Sequence, residues 1–441
     1  MNQASTWDDM SPELRKVAER ARREPDGRFH SLAHLLHSGA LEWAFDRQRA
    51  NAAVGVDGVT KEMYEQELRG NLRSLVERLK TKRYRHQPIR RVHIPKDNGK
   101  TRPLGISAFE DKIVQDAIRE VLQAIYEQDF LDCSYGFRPG RSAHDAIRAL
   151  HRAADQGVCN WILEADMVSF FDSVDRAALV EMLRKRLADG SLLRLIGKCL
   201  NVGVLDGEEF STPEVGTAQG SVLSPLLGNI YLHYVLDEWF LRVVRPRLRG
   251  RATLVRYADD FVMAFELRED ADRVWEVLPK RMQRYGLALH PDKTRLLEFR
   301  RPPKEQQEGK GPSTFDFLGF TLYWRRTLRG HWRLGCKTRR ARLHRAINAV
   351  YEWCRKRRHY SVDAQHAGLR SRLQGHMNYF GVNGNLRSVA TLFHHAKRAW
   401  KYWLSRRSQR ARLTWERMTL LLQRYPLPPP KVVVSIWGCV P

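Results

Sequence analysis

Between Phe109 and Tyr126 the apolar residues Ile113, Val114, Ala117, Ile118, Val121, Leu122 and Ile125 recur in steps of three and four. That period keeps them on one face and predicts an amphipathic helix. CNWILEADMVSFFDSV, starting at residue 159, opens as an apolar run too short for a helix; it predicts a buried strand, then a turn. The following DRAALVEMLRKRLADG reads as a helix with a carboxylate near its start and Gly190 near its end. LVRYADDFVMAF, 254–265, reads as two short strands joined by a tight turn at its aspartates. Ser224 and Pro225 start a long, largely apolar helix over 221–245. Alternating apolar and basic residues in RRVHIPKDNGKTRPLGI surround Asp97, Asn98 and Gly99, which predicts a basic β-hairpin. Residues 1–80 read as helices broken by NAAVGVDGVT, and SYGFRPGRSAHDAI as a loop followed by a helix from about Ser142.

One feature of this pattern conflicts with burial. Asp259 and Asp260 stand side by side inside an apolar run, where unpartnered carboxylates repel and resist desolvation. A positive partner is expected there.

The charge balance is not ordinary. The 441 residues carry 76 Lys+Arg against 50 Asp+Glu, a net charge of +26 that suits a polyanionic partner. An apolar share of 43% argues for a folded chain, and the length suits about three domains. The excess concentrates beyond RPPKEQQEGKGPS, 301–313, a polar connector and the clearest boundary. From 325 to 424 there are 25 Lys/Arg and three acids, interleaved with aromatics at helical spacing. Six scattered cysteines give neither a zinc ribbon nor a disulfide framework and fit a reducing compartment. The polar first residues form no secretion signal, and no apolar run reaches the roughly 20 residues a membrane span needs. A cytoplasmic location without membrane attachment is expected.

Asp166 ends the strand WILEA, so with Asp259 and Asp260 it places three acids on neighbouring strand ends. Oxygen-only ligands favour Mg²⁺ over zinc, and two such ions about 4 Å apart can serve an in-line phosphoryl displacement. Taken alone, the Asp-Asp pair reads rather as a polar hairpin turn.

The wider context decides between these readings. YADD at 257–260 and ADMVSFFDSV resemble the catalytic box and first aspartate motif of the reverse transcriptase family, most closely the enzymes encoded by bacterial group II introns. RVHIPKDNGKTRPLGI, YGFRPGRSAHDAI, GTAQGSVLSPLLGNIYL, LALHPDKT and FDFLGF follow the family's order, and the resemblance spans most of residues 40–400. It implies Asp166 and Asp259 as principal metal ligands, Asp260 as an auxiliary carboxylate, and Met167 as a backbone-carbonyl ligand. Lys96 and Arg102 would grip the incoming triphosphate, as a point charge and a forked guanidinium. Phe171 would exclude a 2′-hydroxyl, and Gln219 would contact the incoming nucleotide. Lys293 would protonate departing pyrophosphate, while Arg138 and Arg141 would steady the template. In isolation these residues read as edge charges, a core phenylalanine and a turn glutamine. Ala218 and Ser221 depart from the proline and glycine the family leads one to expect, which bears on fidelity and processivity.

The fold implied is α+β: a right-hand polymerase with an antiparallel-sheet palm, helical and β-hairpin fingers, and a basic all-helical thumb or maturase domain. Its expected boundaries are 1–130 for the N-terminal extension and fingers, 131–325 for the palm, 326–425 for the thumb and 426–441 for a tail. QGHMNYFG at 374–381 and the basic helices carrying Trp400, Tyr402 and Trp403 resemble the thumb of intron-encoded proteins. No appended His-Asn-His endonuclease is expected, so integration would be primed from a nick or a replication fork. The expected activity is primer extension on an RNA template with dNTPs and two Mg²⁺ ions, Mn²⁺ being a substitute. Expected partners are template RNA, group II intron RNA and a DNA primer or target, in an oligomeric state the sequence does not set. Rival readings are a domesticated reverse transcriptase in phage defence or DNA repair, and an RNA-binding splicing factor with vestigial polymerase activity. An RNA polymerase or primase is a further rival, which Phe171 argues against.

Overall fold

The computed structural model describes residues 10–95, 101–206, 209–211, 215–217, 220–303, 313–327, 330–407 and 413–437. Its strands in chain order begin with β1 (Ile89–Pro95), β2 (Thr101–Ile106), β3 (Trp161–Ala165), β4 (Val204–Asp206) and β5 (Glu209–Ser211). They continue with β6 (Ala252–Tyr257), β7 (Asp260–Phe265), β8 (Arg295–Glu298), β9 (Phe315–Phe317), β10 (Phe320–Arg326) and β11 (Trp332–Thr338).

The central sheet has the order β6-β7-β3-β8 and is antiparallel throughout. Strand alternation divides its side chains between two cores. Phe261, Met263, Phe265, Leu163 and Leu254 join the larger core, built with the helices Phe109–Asp129 and Ser224–Leu232. Val262, Ala264, Ile162 and Val255 face the other way, onto the helix Ala143–Asp155 and the sheet β11-β10-β9. Both faces are covered, so these strands read as continuous apolar runs without polar alternation.

Local chemistry sets the helix limits. Ser142 and Asp145 form a reciprocal capping box at the start of Ala143–Asp155, and Asp189 caps Gly190–Leu200. Gly190 therefore starts a helix, and the preceding helix ends earlier, at Arg184. The apolar helix expected over 221–245 is α-helical from Ser224 to Leu232 and then widens into π turns over 233–237 and 239–244. The expected basic hairpin exists as β1–β2, whose tip lies outside the described residues, and β4–β5 extend it into a mixed four-stranded sheet.

A third core is wholly helical, formed by Arg340–Lys356, Val362–Phe380, Leu386–Leu404 and Trp415–Arg424 around the fully buried Trp400. The compositional boundary at 325/326 falls inside β10, which pairs through Arg326 with Trp332 of β11. Composition turns basic there, but strand pairing continues. No described helix is long and apolar enough to cross a membrane.

Candidate active site

The β6–β7 hairpin closes at Tyr257↔Asp260, leaving Ala258 and Asp259 as the two turn residues. Ala258 takes φ 57°, the left-handed region a side chain resists at about 1–2 kcal/mol. Packing and hydrogen bonding hold it there. A Cβ on Gly136 would lie 2.4 Å from the Ala258 nitrogen, so only a glycine lets the 134–141 loop press against this turn. Asn229 donates to the Gly136 carbonyl at 2.7 Å and accepts from Arg256 at 2.9 Å. The Arg256 guanidinium also donates to the Ala258 carbonyl at 3.0 Å, to Ser134 Oγ, and through two nitrogens to Asp237 at 2.7 and 2.6 Å. Both side chains of this ion pair have 0% exposure. Four of the five described non-glycine residues with positive φ (Phe137, Ser169, Ala258 and Leu318) fall in motif turns around this end of the sheet. Such strain persists where surrounding structure over-determines it.

The acids meet by strand register. Ala165 pairs with Phe261, so the next step along β3 sets Asp166 beside Asp260. Burial, then the neighbouring Asp166, holds the Asp259 carboxyl above its ordinary range, while Arg102 and Arg256 oppose the rise. Burial, then Asp259 and Asp166, pushes Asp260 up to about 7 against the pull of Lys293 and Arg342. Asp260 reaches water at the end of the sheet, yet protein crowds it closely enough to hinder solvation of its charge. Lys293 donates to Asp166 Oδ2. Among the described residues no three carboxylate, imidazole or thiol groups gather into a finished cation cage. The donor set nonetheless fits a hard divalent ion: it is oxygen-only, negatively charged and incompletely compensated.

Residues 94–322 match the family model described as reverse transcriptase (RNA-dependent DNA polymerase). The chain belongs to the reverse transcriptase family. It is 34% identical over 364 residues to Protein YkfC of Escherichia coli, covering 73% of this chain and 90% of that one. The group II intron-encoded protein LtrA of Lactococcus lactis is 34% identical over 232 residues, 52% of this chain; the match spans 38% of LtrA's own length. A telomerase from Candida albicans, solved with a TWJ fragment of telomeric RNA, aligns at 15% identity and TM-score 0.46, covering 77% of this chain and 58% of that one. The assignment rests on the sequence matches.

The other residues expected of a reverse transcriptase are distributed unevenly. Met167 bridges to Leu289 through bonds made by the flanking residues, Val168 to Ala288 and His290 to Asp166, so its own carbonyl is not used in that bridge. Phe171 packs edge-on to Phe170, and a Cβ on Gly228 would lie 3.0 Å from the Phe170 ring and 3.4 Å from that of Phe171. The Phe171 carbonyl accepts from Thr217, tying it to the glutamine loop. Lys96, Ala218 and Gln219 lie outside the described residues, whereas Arg102 is exposed on β2. Ser221 bonds Gln115 at 3.1 Å, anchoring its loop to the helix Phe109–Asp129.

The two template arginines differ. Arg138 is 6% exposed and is held by Glu127 and by the carbonyls of Leu131 and Ser134, which leaves no free face for a template phosphate. Its place is inside the loop. Arg141 pairs with the exposed Asp132 and remains at the surface. The residues not foreseen from sequence are Arg256, Asp237, Asn229, Ser134 and Gly136, which hold the turn, and Arg342, whose charge reaches Asp260.

Proposed function

We propose that this protein is an RNA-directed DNA polymerase that extends a primer on an RNA template, and that it also binds group II intron RNA. The observation that carries the polymerase reading is the meeting of Asp166 with Asp259 and Asp260 at one end of an antiparallel sheet, with charge left over for a cation. In this reading Asp166 and Asp259 hold the metal, with Asp260 and the Met167 carbonyl as auxiliary ligands. Two bound Mg²⁺ ions, or Mn²⁺, would supply the charge that acidifies a primer 3′-hydroxyl and neutralises departing pyrophosphate.

The protein's own groups do the rest. Arg102, with Lys96, neutralises the triphosphate, and Gln219 borders the incoming nucleotide. Phe171 presents a rigid ring, backed by Phe170 and the close helix at Gly228, against which a 2′-hydroxyl would clash. Lys293 already donates to Asp166, a position from which it can pass a proton toward the leaving group. Arg256 keeps the Ala258 carbonyl, and so the Asp259 carboxylate, in place.

Intron RNA binding is supported by the similarity to LtrA and by the basic helices beyond Arg340. Arg406 stacks on the exposed Tyr402 and Lys401 on the exposed Trp415, a pairing of charge and ring suited to unpaired bases. Trp400, fully buried and bonded to Gln365, is core.

The test is primer extension on a defined RNA template with Mg²⁺ and dNTPs, comparing wild type with Asp259→Ala. Extension by wild type alone supports the reading; equal extension by both overturns the metal assignment. No extension by either, with tight RNA binding retained, favours the splicing-factor reading.

A further inference from the structure

The end of the central sheet opposite the aspartates carries the reverse charge. β3 runs away from this end toward Asp166, and β8, antiparallel to it, leads back to Arg301. An open cleft of about 610 Å³ lies here, lined chiefly by Arg301, Arg325, His331, Trp332, Arg333 and Trp437, with Asp155 as the acid among its lining residues. Five strand residues at about 3.3 Å each put it some 16 Å from the catalytic end.

Two features set this cleft apart from a solvated basic face. First, Arg325 of β10 is paired directly across the ladder with Arg333 of β11, an arrangement that destabilises a sheet. No described carboxylate stands within ion-pair distance of either; Asp155 lies 3.6 Å from Arg301 instead. Gly335 makes this packing possible, because a Cβ there would lie 2.8 Å from the Arg325 side chain. Second, the cleft joins charge to aromatic surface. Arg325 lies over Trp437 at 4.9 Å, and the buried indole nitrogen of Trp437 has no hydrogen-bond partner among the described residues. Trp332 is fixed by its bond to the Pro303 carbonyl. Guanidiniums left without counter-charge beside indole rings match phosphates and unstacked bases.

We propose that this cleft is a second nucleic-acid site, which binds an unpaired strand: one phosphate at Arg325 and the next at Arg333, bases against the indoles. The same chemistry would take a single-stranded RNA segment or a displaced DNA strand.

The test uses the full chain, saturated with an unlabelled primer–template, and measures anisotropy of labelled oligo(U) and oligo(dT) of about 20 nucleotides over a salt series. R325Q/R333Q should weaken binding on the order of tenfold near 0.1 M salt and reduce the log–log salt slope by about 1.4, the contribution of two single-strand phosphate contacts. R333E guards against misfolding. It replaces a like-charge pair with a carboxylate facing Arg325 across the ladder, so its Tm should match or exceed wild type while binding is lost. Primer extension on a short template should be unchanged in both variants. Stronger binding of oligo(U) identifies RNA as the occupant; equal binding of oligo(dT) admits the DNA strand. Wild-type affinity and slope in a folded R333E would overturn the proposal. Because binding is read separately from extension, failure of the polymerase reading would appear as absent extension by wild type, not as loss of this site.

Discussion

Arg256 and Asp260 lie on one hairpin, and the fold treats their charges oppositely. Arg256 is fully buried, and Asp237, Asn229, Ser134 and the Ala258 carbonyl occupy its guanidinium. Asp260, at the rim, faces two further carboxylates and is compensated only in part by Lys293 and Arg342. The first arrangement is closed and needs nothing from outside. The second leaves negative charge over, which in the proposed function a cation would meet, and the closed one keeps the open one in position.

The largest effect should come from removing a carboxylate on the open side. Asp259→Ala should reduce primer extension by more than about 10³-fold, since metal-borne charge stabilisation amounts to several kcal/mol. Its Tm without metal at pH 8 should stay level or rise, because repulsion with Asp166 and Asp260 is relieved. A large fall in Tm would show that Asp259 belongs to the closed network.

Substitution on the closed side should do the reverse. Arg256→Met strands Asp237 and should destabilise by about 3–5 kcal/mol in urea unfolding. The double variant R256M/D237L replaces the whole pair with apolar groups and should recover most of that stability. Extension should remain depressed, because nothing then holds the Ala258 carbonyl. Full recovery of activity in the double variant would reduce Arg256 to a folding residue.

How much of this could be read from sequence follows the same division. The aspartates are legible because two charges interrupt an apolar run, and Phe109–Asp129 because its period is sustained. Arg256 interrupts the same run and gave the same signal. Its partners come from residues 134, 229 and 237, and no local pattern joins them. The template role expected of Arg138 follows from the family resemblance alone. Glu127, on the preceding helix, turns it inward. The expected boundary at 325/326 falls inside β10, because the change in composition there does not interrupt the local ladder that pairs Arg326 with Trp332 and Arg325 with Arg333.

Gly136→Ala probes the contact between the two sides. Its Cβ would meet the Ala258 backbone at 2.4 Å and force the turn to move. Overpacking of this kind costs about 1–3 kcal/mol, and a displacement near 1 Å at a reacting centre costs on the order of 10² in rate. Extension should therefore fall on the order of 10²-fold beside a stability loss of about 1–3 kcal/mol, in kinetics and urea titration on one preparation. Unchanged extension beside that stability loss would mean that the turn moves without disturbing the carboxylates.

The smallest effect is a pH dependence without metal. A carboxyl with its folded pKa raised to about 7, from an ordinary value near 4, binds more protons folded than unfolded between those values. Stability therefore declines as pH rises from about 4 to 7, then levels off. Asp260→Asn should flatten this decline, leaving a remainder from Asp259, whose pKa is also raised. The variant should match wild type near pH 4 and exceed it in Tm at pH 8. Mg²⁺ should raise the wild-type Tm more at pH 8 than at pH 5, because below the raised pKa values protons compete for the same oxygens. A Tm profile indifferent to pH, Mg²⁺ and Asp260→Asn alike would mean that the open side is already compensated from within, and the contrast with Arg256 would disappear.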